Sequence, residues 1–407
     1  MASVHPFHAL RPLPDVAARV SSVPYDVVNT EEARALAAGN PLSFLRVTRS
    51  EIDLPPATDP YADMVYEQAV RNFEDLKRAA PLVVEPEPSV YFYRLRVGTH
   101  EQTGLAACYS LDEYDRDLIK KHERTRRDKE DDRTRHIIRL RAQTGVVFLT
   151  YRASSDVDAL AAKVCAGKPL YDFTAEDGVT HTIWRAERAE THGLAAAFSR
   201  VPALYIADGH HRAASAARTR TELGAPGAAA GEFDTFLAVA FPDNQVQILP
   251  YNRVVKDLAG LSPEALLTEI KARVPVRDGG PSPSRRGEVS MFLGGRWYAL
   301  DLRQAGDRPA ADRISTQDVS VLQRRVLDEV LKISDPRTDK RIDFVGGIRG
   351  TGALETLVHA GKAAVAFSMY PVTVDDLMAI ADEGGIMPPK STWFEPKLRD
   401  GLLIHLM

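Results

Sequence analysis

The chain has 407 residues, of which 44% are hydrophobic and 27% are charged, and its formal net charge is −4. These values are ordinary for folded globular proteins and argue against wholesale disorder, a fibrous repeat or a basic nucleic-acid-binding surface. A chain of this length most naturally folds as two or three packed units.

Cysteine usage and hydropathy predict the compartment. Cys108 and Cys165 lack CxxC spacing and so indicate neither a disulfide framework nor a thiolate zinc site. The start of the chain lacks the charged and apolar regions of a signal peptide, and no apolar run reaches the roughly 18 residues of a membrane span. We expect a cytoplasmic protein without a membrane partner, and the charge balance disfavours nucleic acid as a partner.

Near the start, the stretches VPYDVV and NPLSFLRVTRSE predict two short strands. The Asn-Thr-Glu-Glu sequence that begins at Asn29 is a capping-type start and predicts a helix between them. Asp26, Arg46 and Glu51 lie at the expected strand ends, which makes them candidate active-site groups by position alone.

Further along, strand-like and helix-like segments alternate. Hairpins are predicted around Gly98–Gly104 and around the turn at Asp177-Gly178, and GVVFLTY and FLAVAF each predict a strand. A capped helix is expected over SSDVDALAAKVCAG. LYIAD predicts a strand that is followed by an alanine-rich helix ending at Gly224. This alternation predicts an α+β fold with mixed sheets and helices.

The C-terminal part is set off by a linker-like stretch. DGGPSPSRRGE is rich in turn residues and favours a soft boundary between about residue 255 and that stretch, so we divide the chain into residues 1–255 and 256–407. The second region is expected to contain a hairpin in EVSMFLGGRWYALDL and to end in MPPKSTWFEPKL. Lys390, Ser391 and Thr392 offer donors suited to phosphate, although this segment can equally pack back as a rigid strap.

The stretch LYIADGHHRAAS carries the densest polar chemistry. A strand that runs through Asp208-Gly209 into a helix directs the first free N–H groups of the helix at whatever lies in front. Such a helix start attracts phosphate or carboxylate, and Arg212 adds a charged donor. His210 and His211 flank the ligand, while Asp208 can orient a histidine, accept a proton or hold magnesium. Taken singly, these residues also fit a cap, an ion pair or a buried histidine; together they predict an anion-binding site.

A second charged segment runs from Lys120 to His136. Its alternating signs are typical of a solvated helix face with i,i+4 pairs. Its first residues follow an expected strand end, however, where a histidine, an acid and an arginine can close over a phosphate. The residues with this candidate role are His122, Glu123, Arg124 and Thr125.

Five motifs together carry a resemblance to a known family. They are PYDVV near the start, HERT followed by DR, ADGHHR, LPYNRVV and MPPKSTWFEPKLRDGLLIH. From about residue 5 to its end, the chain resembles the family of domain of unknown function 1015. Of the five motifs, ADGHHR and the tail motif are specific to that family.

Members of that family are often described as similar to ParB and sulfiredoxin-like proteins. The resemblance implies a ParB/sulfiredoxin-like α+β core with large additions, in which a GxxR-type loop at a helix start binds nucleotide phosphates. Gly209, His210, His211 and Arg212 match that loop. We find no helix-turn-helix module and no cysteine near residues 208–212, so DNA partition and sulfinic-acid repair are poor fits.

The same fold group contains kinases of free L-serine, whose Asp-Gly-His-x-Arg stretch is similar to residues 208–212. The resemblance therefore implies a nucleotide- and Mg²⁺-dependent kinase that acts on a small hydroxyl metabolite, with L-serine as the first acceptor to test. ATP, ADP and CTP are all open as the nucleotide, and homo-oligomerisation is open as well.

Each candidate residue has a role in this hypothesis. The helix start and Arg212 hold phosphates, Asp208 or Glu123 holds the metal or takes the hydroxyl proton, and a histidine stabilises charge. The histidines considered for that last role are His122, His210 and His211.

Two other functions are compatible with the sequence. A nucleotide-binding switch would sense phosphates with the same loop and would need no small-molecule acceptor. A hydrolase would use His122, His210 and His211 as ligands of a transition metal, but adjacent histidine side chains diverge and rarely share one metal.

Overall fold

The structure is a computed structural model that describes residues 2–224, 231–303 and 313–407. The described residues divide into two compact units, of which the first runs to Val246 and also takes in Pro396–Met407, and the second is Gln247–Glu395. The sequence division at residue 255 assigned the whole tail to the second region. Residues Pro396–Met407 instead belong to the first unit, where the last strand of the chain pairs, whereas the MPPKSTWFE part of the tail stays in the second unit.

The first unit combines strands and helices. Its helices are α1 Pro14–Val20, α2 Thr30–Ala37, α3 Leu45–Thr48, α4 Asp63–Ala79, α5 Leu111–Asp115, α6 Arg127–Leu140, α7 Ser155–Cys165, α8 Arg188–Phe198 and α9 His210–Leu223. Its strands are β1 Val4–His5, β2 Ala9–Pro12, β3 Leu82–Val84, β4 Tyr91–Val97, β5 His100–Ser110, β6 Ile119–Lys120, β7 Ala142–Gln143, β8 Val147–Tyr151, β9 Tyr171–Thr174, β10 Thr180–Arg185, β11 Leu204–Asp208, β12 Thr235–Pro242 and, after the second unit, β21 Ile404–Leu406.

A large mixed sheet positions the candidate site in the first unit. Its strands follow the order β6-β11-β8-β12-β5-β4-β10-β9, and β1 pairs with β5. β6 lies parallel to β11 and β12 lies parallel to β8, whereas β11 and β8 are antiparallel. β8 and β12 are buried along nearly their whole length, and α9 packs against both. A smaller sheet has the order β3-β2-β21-β7.

Most predicted elements of the first unit are present, and the structure confirms an α+β fold with mixed sheets. Both hairpins form, as β4 with β5 and as β9 with β10. The helix expected after Asn29 is α2, and Asn29 and Glu32 cap it reciprocally with hydrogen bonds of 2.9 Å. The alanine-rich helix α9 ends with Gly224 as its C-cap.

The two strands predicted near the start were wrong. The stretch VPYDVV contains a short 3₁₀ helix, Tyr25–Val27, which Pro24 precedes with a fixed φ of −56°. The stretch NPLSFLRVTRSE contains α3 and a second 3₁₀ helix, Ser50–Asp53. Its buried apolar residues recur with helical spacing, as in Phe44 and Val47, and short apolar runs do not separate strand from helix.

The second unit contains a separate antiparallel sheet. Its strands are β13 Ile248–Leu249, β14 Tyr251–Val255, β15 Val276–Asp278, β16 Glu288–Leu293, β17 Arg296–Asp301, β18 Ile342–Gly346, β19 Val365–Ser368 and β20 Trp393–Phe394. Its helices are α10 Pro263–Lys271, α11 Asp318–Leu322, a π-helical turn at Gln323–Asp328, α12 Gly352–His359 and α13 Val374–Asp382. The larger sheet has the order β15-β17-β16-β19-β14-β18, and its β16–β17 pair is the predicted hairpin. β13 and β20 pair separately.

Within residues 2–224, 231–303 and 313–407, each helix is too short or too polar to cross a membrane.

The close approach of β5 and β12 gives a stability prediction. A Cβ at Gly104 would lie 2.7 Å from Cγ1 of Val239 and 2.9 Å from the carbonyl oxygen of Ala240. Because a backbone atom cannot move aside cheaply, Gly104→Ala should lower the free energy of unfolding by about 1–3 kcal/mol. Urea unfolding measures the change.

Gly193→Ala in α8 is the matched control. Its added methyl would meet only Leu160, at 3.7 Å, and alanine favours a helix over glycine. Stability should therefore stay the same or rise. Equal urea midpoints for wild type and Gly104→Ala would contradict the packing described for β5 and β12.

Candidate functional site

The candidate site lies where β11 meets α9. Asp208 ends β11, whose pairing with β8 is irregular between Ile206 and Asp208. Gly209 follows with a φ of 95° and a ψ of 29°, a left-handed conformation that residues with a Cβ adopt only with strain. α9 then begins at His210, and its N-cap residue, Gly209, has no side chain that could cap it. The N–H groups of its first turn, which carry the positive end of the helix dipole, can therefore bind an anion.

The segment after β6 lies beside this helix start. The backbone N–H of His122 donates to Nε2 of His210 at 3.3 Å, and the backbone N–H of Arg126 donates to Nε2 of His211 at 3.0 Å. Since both Nε2 atoms accept, the protons of the two imidazoles lie on Nδ1. The structure thus brings together the two stretches that the sequence singled out separately.

His122 and His210 form a buried imidazole pair. Their rings meet edge to face with centroids 4.5 Å apart, and the residues are 2% and 4% exposed. Burial lowers the pKa of His122 to about 4 and holds the pKa of His210 well below its usual value. Both imidazoles are therefore neutral near pH 7 and can act through hydrogen bonds but not as cations. Within the described chain, Nδ1 of His122 has no hydrogen-bond partner.

Asp208 is paired with a lysine from the end of the chain. Nζ of Lys397 donates to Oδ2 of Asp208 at 2.8 Å. Burial alone would raise the pKa of Asp208, but Lys397 and Arg212 outweigh burial and hold that pKa below its ordinary value. Asp208 is therefore ionised throughout the physiological range, and the ammonium group of Lys397 lies directly at the strand end.

Arg212 is held by the protein more tightly than the sequence hypothesis assumed. Its Nη2 donates to both carboxylate oxygens of Asp26, at 2.7 and 2.8 Å, and its Nη1 donates to the carbonyl of Val146 at 2.6 Å. Although burial opposes its charge, Asp26 and Asp208 raise the pKa of Arg212 above its usual value. Only Nε lacks a partner among the described residues. The phosphate-binding role of Arg212 stays a prediction. That role is limited to a hydrogen bond from Nε and to electrostatic attraction by the guanidinium charge.

Asp400 is a buried acid that sequence reasoning missed. It is 1% exposed, its Oδ1 accepts the N–H of Val146 at 3.4 Å, and its Oδ2 has no partner among the described residues. Burial raises the pKa of Asp400 to about 7, although Arg212 opposes the shift. A carboxyl group with this pKa is half protonated at neutral pH and can exchange a proton.

A small cavity adjoins the Arg212 side chain. It has a volume of about 30 Å³, room for about two water molecules, and Tyr25, Arg133 and Arg212 line part of it. The ring of Tyr25 is close to both guanidinium groups, with its centroid 4.2 Å from Cζ of Arg133 and 5.6 Å from Cζ of Arg212. A neighbouring cavity of about 40 Å³ shares Tyr25 and Arg133.

The other predicted residues take different positions. Arg124 is exposed, and the Oγ1 of Thr125 donates to Glu130. The remaining three belong to the second unit, so their predicted role at this loop stays a prediction. They are Lys390, whose φ is 57°, Ser391, whose Oγ donates to the carbonyl of Pro388 at 2.6 Å, and Thr392, which is half-buried.

The proposed magnesium ligands are Asp208 and Glu123. Glu123 is partly exposed, and its Oε2 lies 4.0 Å from Nδ1 of His210. Within the described residues, no three His, Cys, Asp or Glu side chains form a cluster that could hold a metal ion, so the transition-metal hydrolase gains no support. Magnesium is commonly held by one or two carboxylates together with substrate phosphates, and two carboxylates at a helix start fit that arrangement.

Three residues at the site were not expected from the sequence: Tyr25, Arg133 and Asp400. Each lies inside a family motif, namely PYDVV, the DR that follows HERT, and the tail. The α6 segment was also interpreted as a solvated face, whereas Asp132 and His136 of α6 are buried. Charge alternation predicted the solvent side of this helix, but only the tertiary contacts show which charges face inwards.

The family model described as protein of unknown function (DUF1015) matches residues 4–329. The chain therefore belongs to the DUF1015 family. A search of the curated proteins found no match.

Several solved structures align with the chain at low similarity. A conserved hypothetical protein from Pyrococcus furiosus has 15% identity and a TM-score of 0.38 over 74% of this chain and 95% of its own. C-terminally truncated SbnI from Staphylococcus aureus has 14% identity and a TM-score of 0.40, over 74% and 87%. A free serine kinase in complex with AMP has 12% identity and a TM-score of 0.37, over 76% and 94%. At this level, the alignments support no conclusion about the activity of this chain.

The raised pKa of Asp400 predicts how stability depends on pH. Between pH 4 and 7 the folded state retains a proton that the unfolded state has lost, so the stabilising contribution is complete below about pH 4 and is lost as the pH rises through 7. Asp400→Asn removes the charge, so its free energy of unfolding relative to wild type should increase by about 2–4 kcal/mol from pH 4 to pH 8.

Urea unfolding of both proteins at the two pH values measures this difference. Asp112→Asn is the control, because the Asp112 side chain is 81% exposed and its loss should change stability little at either pH. A difference between Asp400→Asn and wild type that is the same at pH 4 and pH 8 would show that Asp400 does not retain its proton on folding.

Proposed function

We propose that this protein is a nucleotide- and Mg²⁺-dependent phosphotransferase that phosphorylates a small hydroxyl metabolite. The proposal rests mainly on one observation, the uncapped start of α9 directly after the left-handed Gly209. That helix start offers N–H donors to phosphate, and an ionised carboxylate and an ammonium group lie at the end of the preceding strand. Phosphoryl transfer mostly requires these elements in fixed positions.

The phosphates of the nucleotide bind at the start of α9. The N–H groups of the first turn and the Nδ1–H group of His210 donate to phosphate oxygens without adding charge. Arg124 supplies charge, because it is exposed and forms no hydrogen bond or ion pair with any described residue. Its segment adjoins α9 through the bonds to both histidines.

The carboxylates of Asp208 and Glu123 have different roles in the proposed reaction. Asp208, whose pKa is held low, is a poor proton acceptor but a stable anionic ligand for magnesium. Glu123 therefore takes the proton of the acceptor hydroxyl. The acceptor oxygen forms a bond to the terminal phosphorus while the bond from that phosphorus to the nucleotide oxygen breaks, and the shortened nucleotide leaves. Lys397, beside Asp208, counters the charge that develops on the transferred group.

L-Serine is the first acceptor to test. The reason is the resemblance of residues 208–212 to the Asp-Gly-His-x-Arg stretch of free-serine kinases. The choice among ATP, ADP and CTP does not follow from the helix start, since N–H donors bind phosphate groups and do not contact the base.

Phosphorus NMR tests the proposal directly. The purified protein is incubated with Mg²⁺, L-serine and, in separate tubes, ATP, ADP or CTP, and a phosphoserine resonance is expected in at least one. Asp208→Asn, which keeps the shape but removes the charge, should slow its appearance at least 100-fold, roughly the cost of losing one transition-state electrostatic partner. Asp156→Asn is the matched control, since its exposed side chain pairs with Arg200 on the surface and its loss should leave the rate unchanged.

The outcomes separate the proposal from a nucleotide-binding switch. Nucleotide hydrolysis without phosphoserine would favour the switch. The absence of a phosphorylated product from a panel of other hydroxyl acceptors, tested in the same way, would complete that conclusion. Equal rates for Asp208→Asn and wild type would remove Asp208 from the mechanism. Arg212→Ala is not a clean test, because it leaves the Asp26 carboxylate without its buried partner.

A further inference from the structure

The second unit contains a buried arginine whose charge the protein does not neutralise. Arg253 lies on β14, and it is 3% exposed. Its Nη1 donates to the carbonyl of Tyr251 and its Nη2 donates to the carbonyl of Lys390 at 3.0 Å. Both partners are neutral, and no carboxylate of the described residues lies within ion-pair distance of Arg253.

An uncompensated buried guanidinium is costly. Arginine cannot discharge by losing a proton, and its five N–H donors exceed the two carbonyls that accept from it. Burying a charge without a counter-charge destabilises the folded state. Burial accordingly lowers the pKa of Arg253 to about 10, and the Tyr251 hydroxyl opposes the shift only in part. An anion that reached this guanidinium would recover part of that cost.

Arg253 lines a cavity that is not fully enclosed. The cavity has a volume of about 20 Å³ and is lined in part by Arg286, Thr373 and Ser391, and also by the acids Asp318 and Asp376. Arg286 forms an ion pair with Asp376 at 3.0 Å, which compensates its charge. The charge of Arg253 has no counter-ion among the described residues. Since the cavity holds only one or two water molecules, an entering ligand places just its terminal oxygen atoms there.

Two sequence motifs meet at this cavity. Tyr251 and Arg253 belong to LPYNRVV, and Lys390 and Ser391 belong to the tail motif MPPKSTWF. Lys390 has a φ of 57°, an uncommon conformation for a residue with a Cβ, and its carbonyl contacts Arg253. Such local strain is found preferentially at binding sites.

We infer that the second unit binds an oxyanion group, a phosphate or a carboxylate, at Arg253, with its terminal oxygen atoms in the cavity beside Ser391. The guanidinium group has N–H donors beyond the two that bond to carbonyls, and its plane can present a pair of donors to the two oxygens of such a group. This site is independent of the phosphotransfer proposed for the first unit.

Hydrogen exchange measured by mass spectrometry locates the binding within the chain. The full-length protein is exposed to inorganic phosphate or to acetate, at an ionic strength matched with sodium chloride. Slower exchange is expected in peptides that cover residues 251–255 and 387–392 with at least one of the two anions. Slowing by phosphate alone assigns the site to a phosphate group, and slowing by acetate alone assigns it to a carboxylate.

The Arg253→Met variant should lose this protection completely while remaining at least as stable as wild type, because it removes an unpaired buried charge and keeps the apolar stem. Arg296→Met, in the same unit but exposed on β17, should retain the full protection. If the methionine variant fails to fold, Arg253→Lys keeps the charge without the planar fork and should weaken binding several-fold. Unchanged exchange in wild type with both anions, or equal protection in Arg253→Met, would overturn the inference.

Discussion

The left-handed conformation of Gly209 is the constraint on which the candidate site depends. Its φ of 95° lets β11 turn into α9 without an intervening loop. Asp208 therefore ends a strand of the central sheet while His210 begins a helix one residue later, and the polar groups of five consecutive residues emerge from a single turn. A residue with a Cβ at position 209 would be strained and would also lie 3.5 Å from the Arg212 side chain.

Ion pairs link that turn to residues that are distant in sequence. Arg212 takes its counter-ion Asp26 from 186 residues away, and Asp208 takes Lys397 from 189 residues away. Removing Asp26 would leave the buried charge of Arg212 unpaired, which costs far more than an exposed ion pair contributes. The start and the end of the chain are therefore both needed to complete a site whose central element is one strand, one glycine and one helix.

The sequence predicted the local part of this arrangement and missed the long-range part. The strand, the glycine turn and α9 follow from an apolar run, a glycine and an alanine-rich segment, all of them neighbours in sequence. The burial of Asp400 and the contacts of Tyr25 with two arginines depend on residues that are far apart in sequence, to which neither periodicity nor turn chemistry is sensitive. For the same reason the short segments around Tyr25 were taken for strands, although the helix with the capping box after Asn29 was found correctly.

The most direct test of a phosphate site at this turn is a crystal structure of the protein with Mg²⁺ and whichever nucleotide calorimetry shows to bind. The account predicts that the terminal phosphates lie within hydrogen-bond distance of the backbone N–H groups of His210 and His211, with Asp208 facing the metal. A saturating nucleotide bound elsewhere, with the start of α9 contacted only by solvent, would contradict it.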